Sequence, residues 1–164
     1  MLNILNLTLA ATIMLAWGIS NRAAADADIT FHGTLLEAPP CVVNGGDNVV
    51  VDFGDEMMTN RIDGTLYRQR IAFPLDCSKA IASEQRVRIR GASVSTPDGE
   101  VLSTPLSGLG LALYQGESRY TLGKWIAFTD PDVPELYVVP VRLNGADPAG
   151  GAFSVLASLV VDYQ

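Results

Sequence analysis

The stretch from Gly151 to Tyr163, GAFSVLASLVVDY, places Phe153, Val155, Ala157, Leu159, Val161 and Tyr163 at every second position. In an extended strand all six share one face. A strand with one long apolar face has to lie in a sheet whose other layer covers that face. It is also the last feature of the sequence, and an open apolar edge is a template for pairing with another chain. The expectation is that something outside this chain completes the strand.

The rest of the sequence is punctuated in the same way. From Asp26 to Glu37, Ile29, Phe31, Gly33 and Leu35 alternate with Thr30, His32 and Thr34, a second strand with one apolar face. Pro39-Pro40 breaks it, since neither residue can donate to a ladder. Asn44 to Asp47 is a turn, Asn48 to Phe53 a β-branched strand, and Gly54 to Gly64 a polar connection to which no function is assigned. Gln69 to Cys77 turns Ile71, Phe73 and Leu75 inward, with Pro74 marking an edge or bulge. Lys79 to Ser83 reads as a short helical turn, and Gln85 to Arg90 as a strand with Arg86, Arg88 and Arg90 on a solvated face. A turn at Thr96 to Gly99, an apolar strand at Leu109 to Gln115 and a turn with a short strand in Gly116 to Trp125 follow. Leu136 to Leu143 is a long strand interrupted at Pro140, and Asn144 to Gly151 is the last loop. No long segment has helical periodicity. Six or seven strands after Pro40 predict an all-β, immunoglobulin-like sandwich one strand short.

At 164 residues the chain is sized for one domain. Leu5 to Ile19 is apolar but short for a membrane span, and Ala23-Ala24-Ala25 follows as an A-x-A pattern. This predicts a signal peptide over residues 1–25, cleaved after Ala25 or at a second site after Ala27; the alternative is an uncleaved anchor. Residues 26–38 then form an N-terminal extension and 39–164 the folded domain. In an exported chain Cys41 and Cys77 are expected to form a disulfide, with two buried free thiols as the alternative. Neither C-x-x-C nor paired histidines occur, so no metal site is expected. A net charge of −7 argues against nucleic acid, which calls for a clustered basic surface. The only histidine, His32, lies on the polar face of the extension, and no G-x-S-x-G elbow accompanies it. An enzyme is therefore not expected, nor a cofactor; a monomeric periplasmic binding module with a complete sandwich is the other rival.

Four features together resemble the pilin subunits of chaperone–usher pili, such as type 1 and P pili. They are the alternating ITFHGTLL before a cysteine, the Cys41 and Cys77 pair with NVVVDFG between, the run Gly110 to Tyr114, and a terminal segment with Gly151 and penultimate Tyr163. The resemblance implies an immunoglobulin-like fold lacking its seventh strand, completed first by a periplasmic chaperone and then, at the outer-membrane usher, by the extension of a neighbouring pilin subunit. It implies a donor face of Ile29, Phe31, Gly33 and Leu35. It further implies a groove read by the chaperone through Gly151, Phe153, Val155, Leu159, Val161 and Tyr163, and a Cys41–Cys77 disulfide. The protein would pass through the periplasm to the cell surface as part of a fimbrium supporting adhesion. The look is that of a minor tip adaptor, with a pilus-terminating or shaft subunit as alternatives; a two-domain adhesin would need a further domain.

Overall fold

The structure, a computed structural model, describes residues 29–34 and 41–163. The signal sequence with its cleavage site, Leu35 and the Pro39-Pro40 break lie outside the described residues. The chain divides into two units, Met1–Leu36 and Glu37–Gln164. In the first, residues 29–34 are exposed and belong to no ladder, so the strand expected there is not formed in the described chain.

The second unit is built from eleven short strands among the described residues: β1 (Val42–Val43), β2 (Gln69–Arg70), β3 (Leu75–Asp76), β4 (Glu84–Gly91), β5 (Ser93–Thr96), β6 (Gly99–Ser103), β7 (Leu109–Gln115), β8 (Ser118–Arg119), β9 (Ile126–Thr129), β10 (Leu136–Arg142) and β11 (Ala157–Tyr163). The larger sheet runs β2-β10-β7-β6-β5, with β8 added to β7; a three-stranded sheet runs β11-β4-β9; β1 pairs with β3. All pairings are antiparallel. The two larger sheets share one core, as their alternating faces require. Leu102, Leu111, Leu113, Leu136 and Val138 enter it from one sheet and Val87, Ile89, Ile126 and Phe128 from the other, joined by Phe73 and Tyr120. On β4 and β9 these alternate with more exposed residues, as a period of two dictates, whereas on the larger sheet Val101, Leu109, Ala112 and Val139, from the opposite face, are buried as well.

Several expected elements differ. Leu136 to Leu143 is not interrupted: β10 runs through Pro140. The Leu143 N–H donates to Gly108 O directly opposite, so bonded and non-bonded pairs alternate back along β10 and Pro140, opposite Leu111, falls in a non-bonded pair. Its nitrogen points away from β7, toward the side where β2 covers only Tyr137 and Val138, and the missing donor breaks no bond. Gln69 to Cys77 is two strands: β2 joins β10, β3 joins β1, and the chain changes sheets around Pro74. Phe73 is buried and Ile71 and Leu75 pack on the core, as their spacing predicts. Lys79 to Ser83 is not helical; a turn closed by Ala80 N–H to Cys77 O takes its place. Asn48 to Phe53 keeps the expected alternation but belongs to no ladder.

The Gly54 to Gly64 connection is more than a link. Its Ile62 is buried, and Arg142 on β10 holds the segment by donating Nε to Ile62 O (2.7 Å) and Nη2 to Asn60 O (3.0 Å). The expected disulfide is present, joining Cys41 ahead of β1 to Cys77 after β3. Tyr120, 4% exposed, ties the two sheets: Ile89 N–H donates to its hydroxyl oxygen (3.0 Å), and its O–H donates to Lys124 O (2.6 Å). Burial raises the pKa of this hydroxyl.

Candidate functional site

The terminal stretch is where the sandwich is incomplete. The ladder of β11 covers Ala157 to Tyr163 and pairs with β4 alone, so one edge of the three-stranded sheet has no strand beside it among the described residues. Phe153 and Val155, upstream of the ladder, continue the same row, and both pack with Leu159 and Val161 against the core cluster while remaining half-exposed. A second row does the same from the other end of the domain: Val49, Val51 and Phe53 pack on the cluster and are half-exposed. The rows meet where the Phe53 and Phe153 ring centroids stand 6.0 Å apart, tilted by 43°. No ladder contains 48–53 or 153–156, and no backbone hydrogen bond joins them among the described residues.

Two apolar rows outside any ladder on one core, touching at Phe53 and Phe153, mark where a further strand would enter by parting them, cover the half-exposed side chains and meet the backbone groups of both. The solvent side of each row is mixed, with one large apolar residue among polar ones: Val50, between Asn48 and Asp52, is 81% and Leu156, after Ser154, is 91% exposed. The terminal row thus stands as the sequence predicts in Phe153, Val155, Leu159 and Val161, with Tyr163 half-buried at its end and Ala157 exposed. Gly151 opens the stretch at φ +147°, where a side chain is strained, and a Cβ would come within 3.3 Å of Leu106 Cδ2. The facing row at Val49, Val51 and Phe53 is a part of the site that sequence reading took for an ordinary strand; the signal was the NVVVDF alternation, but its lack of a ladder is a tertiary fact. Of the first unit, Ile29 is 75% and Phe31 88% exposed, and a Cβ on Gly33 would meet nothing within 4 Å.

On the outward face of the same sheet the arginine row is not merely solvated. The guanidinium carbons of Arg86 and Arg88 lie 4.5 and 4.0 Å from the centre of the Trp125 ring, favourable cation–π geometry. Arg86 also pairs with Asp162 across the ladder at 2.6 Å. The hydrogen bond from Arg86 is the main cause that lowers the Asp162 pKa.

Comparison with known proteins agrees with this architecture. Residues 29–164 match the family model described as fimbrial protein. The fimbrial-like protein YfcR of Escherichia coli is 38% identical over 136 residues, covering 79% of this chain and 77% of that protein. The fimbrial adapter PapF of Escherichia coli is 30% identical over 97 residues, 59% of this chain and 56% of that one. The solved structure of the P pilus adaptor subunit PapF superposes with a TM-score of 0.59 at 27% identity, over 78% of this chain and 98% of that one. The P pilus rod subunit PapA, 20% identical with a TM-score of 0.57 over 84% and 100%, shares the fold. The sandwich with its missing strand is that of a fibre-forming subunit. The chain belongs to the fimbrial protein family. It is a structural subunit of a chaperone–usher pilus, a fibre displayed on the cell surface.

Proposed function

We propose that this chain is an adaptor pilin whose open groove is filled by a strand from another protein, first a periplasmic chaperone and then, at the outer-membrane usher, the N-terminal extension of the next subunit. The observation that carries this reading is the unpartnered edge of β11 facing the unladdered row Val49, Val51 and Phe53 over one core. Strand addition fits both halves of that vacancy, because backbone bonds supply affinity and alternate side chains entering the apolar rows supply specificity. Gly151, Phe153, Val155, Leu159, Val161 and Tyr163 form the receiving side. The extension, residues 26–38, is the donor of this subunit to its neighbour, with Ile29, Phe31, Gly33 and Leu35 as the inserted face; exposed Ile29 and Phe31 are consistent with that role. The domain proper is 39–164 and the signal peptide 1–25. Likeness to the PapF adaptor supports a minor position at the pilus tip over the shaft or the terminus.

The test is co-purification of the mature subunit with the chaperone of its own pilus system, followed by cross-linking from cysteines placed at Val155 and Val51 to find what fills the groove. A chaperone strand cross-linked to both rows is the expected result. A stable chaperone-free monomer that cross-links to nothing overturns the reading.

A further inference from the structure

The electrostatics of the two sides of the groove are opposite. On the side of β11, the next strand of the sheet is β4, whose outward row begins with the exposed Glu84 and continues with Arg86, Arg88 and Arg90. Across the ladder the arginines face Asp162, Val160 and Ser158, so three cations stand against two carboxylates, Asp162 opposite Arg86 and Glu84 at the far end of the row, and Arg88 and Arg90 face no acid. Among the described residues the ion pair at this row is Arg86–Asp162, and Arg88 is held by Trp125 instead. Lys124 and Arg119 border Trp125 in a shallow open depression of about 310 Å³. The other side carries Asp47, Asp52, Asp55 and Glu56, all exposed, and no Lys or Arg occurs between Cys41 and Asn60.

The donor extension has a polarity of its own. With Ile29, Phe31, Gly33 and Leu35 inserted, alternation puts Asp26 and Asp28 in the outward row with Thr30, His32 and Thr34. That row would lie on the same sheet face as the arginines, two strand spacings from β4, or about 10 Å. The distance is about one Debye length at physiological ionic strength and well inside it in dilute salt.

We propose that the arginine row of β4 steers the acidic start of a donor extension, residues 26–36 of a second copy, toward β11, while the acidic side at Asp47 to Glu56 repels it. The inference rests on the donor-strand reading above and adds how the donor is guided. Such fields act chiefly on association rate and fade as salt rises. Trp125 serves the device by holding Arg86 and Arg88 extended beside each other, where two like charges would otherwise swing apart.

The experiment follows exchange of a fluorescent peptide of residues 26–36 into the mature subunit held in its chaperone complex, at salt concentrations from dilute to well above physiological. Association is expected to slow several-fold as salt rises. Arg90→Gln, and more strongly Arg88→Gln with Arg90→Gln, should lower the low-salt rate and flatten its salt dependence. A peptide carrying Asp26→Asn and Asp28→Asn should do the same, and combining peptide and protein changes should add little to either. Arg70→Gln, on the other sheet, should leave the rate unchanged. Arg90 is exposed, so its variant tests the field without disturbing the Trp125 stack. Capture at rates indifferent to these charges overturns the steering alone. No exchange by any of the proteins overturns the steering of this chain's own extension, while the groove itself stands or falls by the cross-linking above.

Discussion

Tyr120 and Asp63 show how single side chains hold this sandwich. The Tyr120 hydroxyl sits between Ile89 N–H and Lys124 O at the core boundary. In Tyr120→Phe the ring still fills its space, but both groups lose their partner, which costs about 1–3 kcal/mol for a buried group left unsatisfied. Urea denaturation should show the loss as a lower midpoint with unchanged slope; an unchanged midpoint would mean that water replaces the hydroxyl. Asp63 organises the flap over β10 by accepting from Leu66 N–H, Thr65 N–H and the Thr65 hydroxyl. These bonds, that from Leu66 first, lower its pKa to about 2. A lowered carboxylate contributes stability above the ordinary aspartate range, and the contribution is lost as pH falls toward the folded value. An NMR titration should therefore find Asp63 and the Thr65 and Leu66 amides shifting together near pH 2; a midpoint near 3.8 would show that the turn does not hold in solution.

Among the elements, β11 is marginal by construction. Its inner residues are half-buried, it has one partner strand among the described residues, and its approach from Gly151 to Leu156 has no ladder. Val161→Asp would place a charge in the apolar row and should abolish the chaperone complex in a pull-down, whereas an unaffected pull-down would remove this strand from the binding surface. The same substitution at Val160, on the outward face, should be tolerated. The extension belongs to the other half of the joint. Deleting residues 26–36 should leave chaperone binding intact and stop the subunit from inserting into its neighbour; loss of chaperone binding instead would make the extension part of its own domain.

At the scale of the molecule, the disulfide compensates for the missing strand. It closes a loop with a sequence separation of 36, which on the chain-entropy estimate disfavours the unfolded state by about 4 kcal/mol. The staple ties Cys41, ahead of the 48–53 row, to β3, and so anchors one side of the groove while its backbone lacks a ladder. Cys41→Ser with Cys77→Ser should reduce the yield of chaperone-bound subunit in the periplasm severalfold, and unchanged yield would show that the groove side is held by packing alone.

Alternation carried much of this protein in plain sight. Phe153, Val155, Leu159 and Val161 were legible as one inward row, and so were Ile71, Phe73 and Leu75, because side-chain period is a local consequence of extended backbone. Cys41 with Cys77 followed from export, and Gly151 to Tyr163 from its resemblance to a pilin terminus. What a strand pairs with is not local. Asn48 to Phe53 has the composition of a strand and no ladder; β10 tolerates Pro140 only because β2 stops short of it; the Arg86 and Arg88 stack on Trp125 depends on where β9 falls beside β4. Sequence by itself determined which faces are apolar and that the last strand needs cover. Tertiary structure alone decided that its free edge stands opposite a second unpaired row, since a gap exists only between segments the fold has brought together.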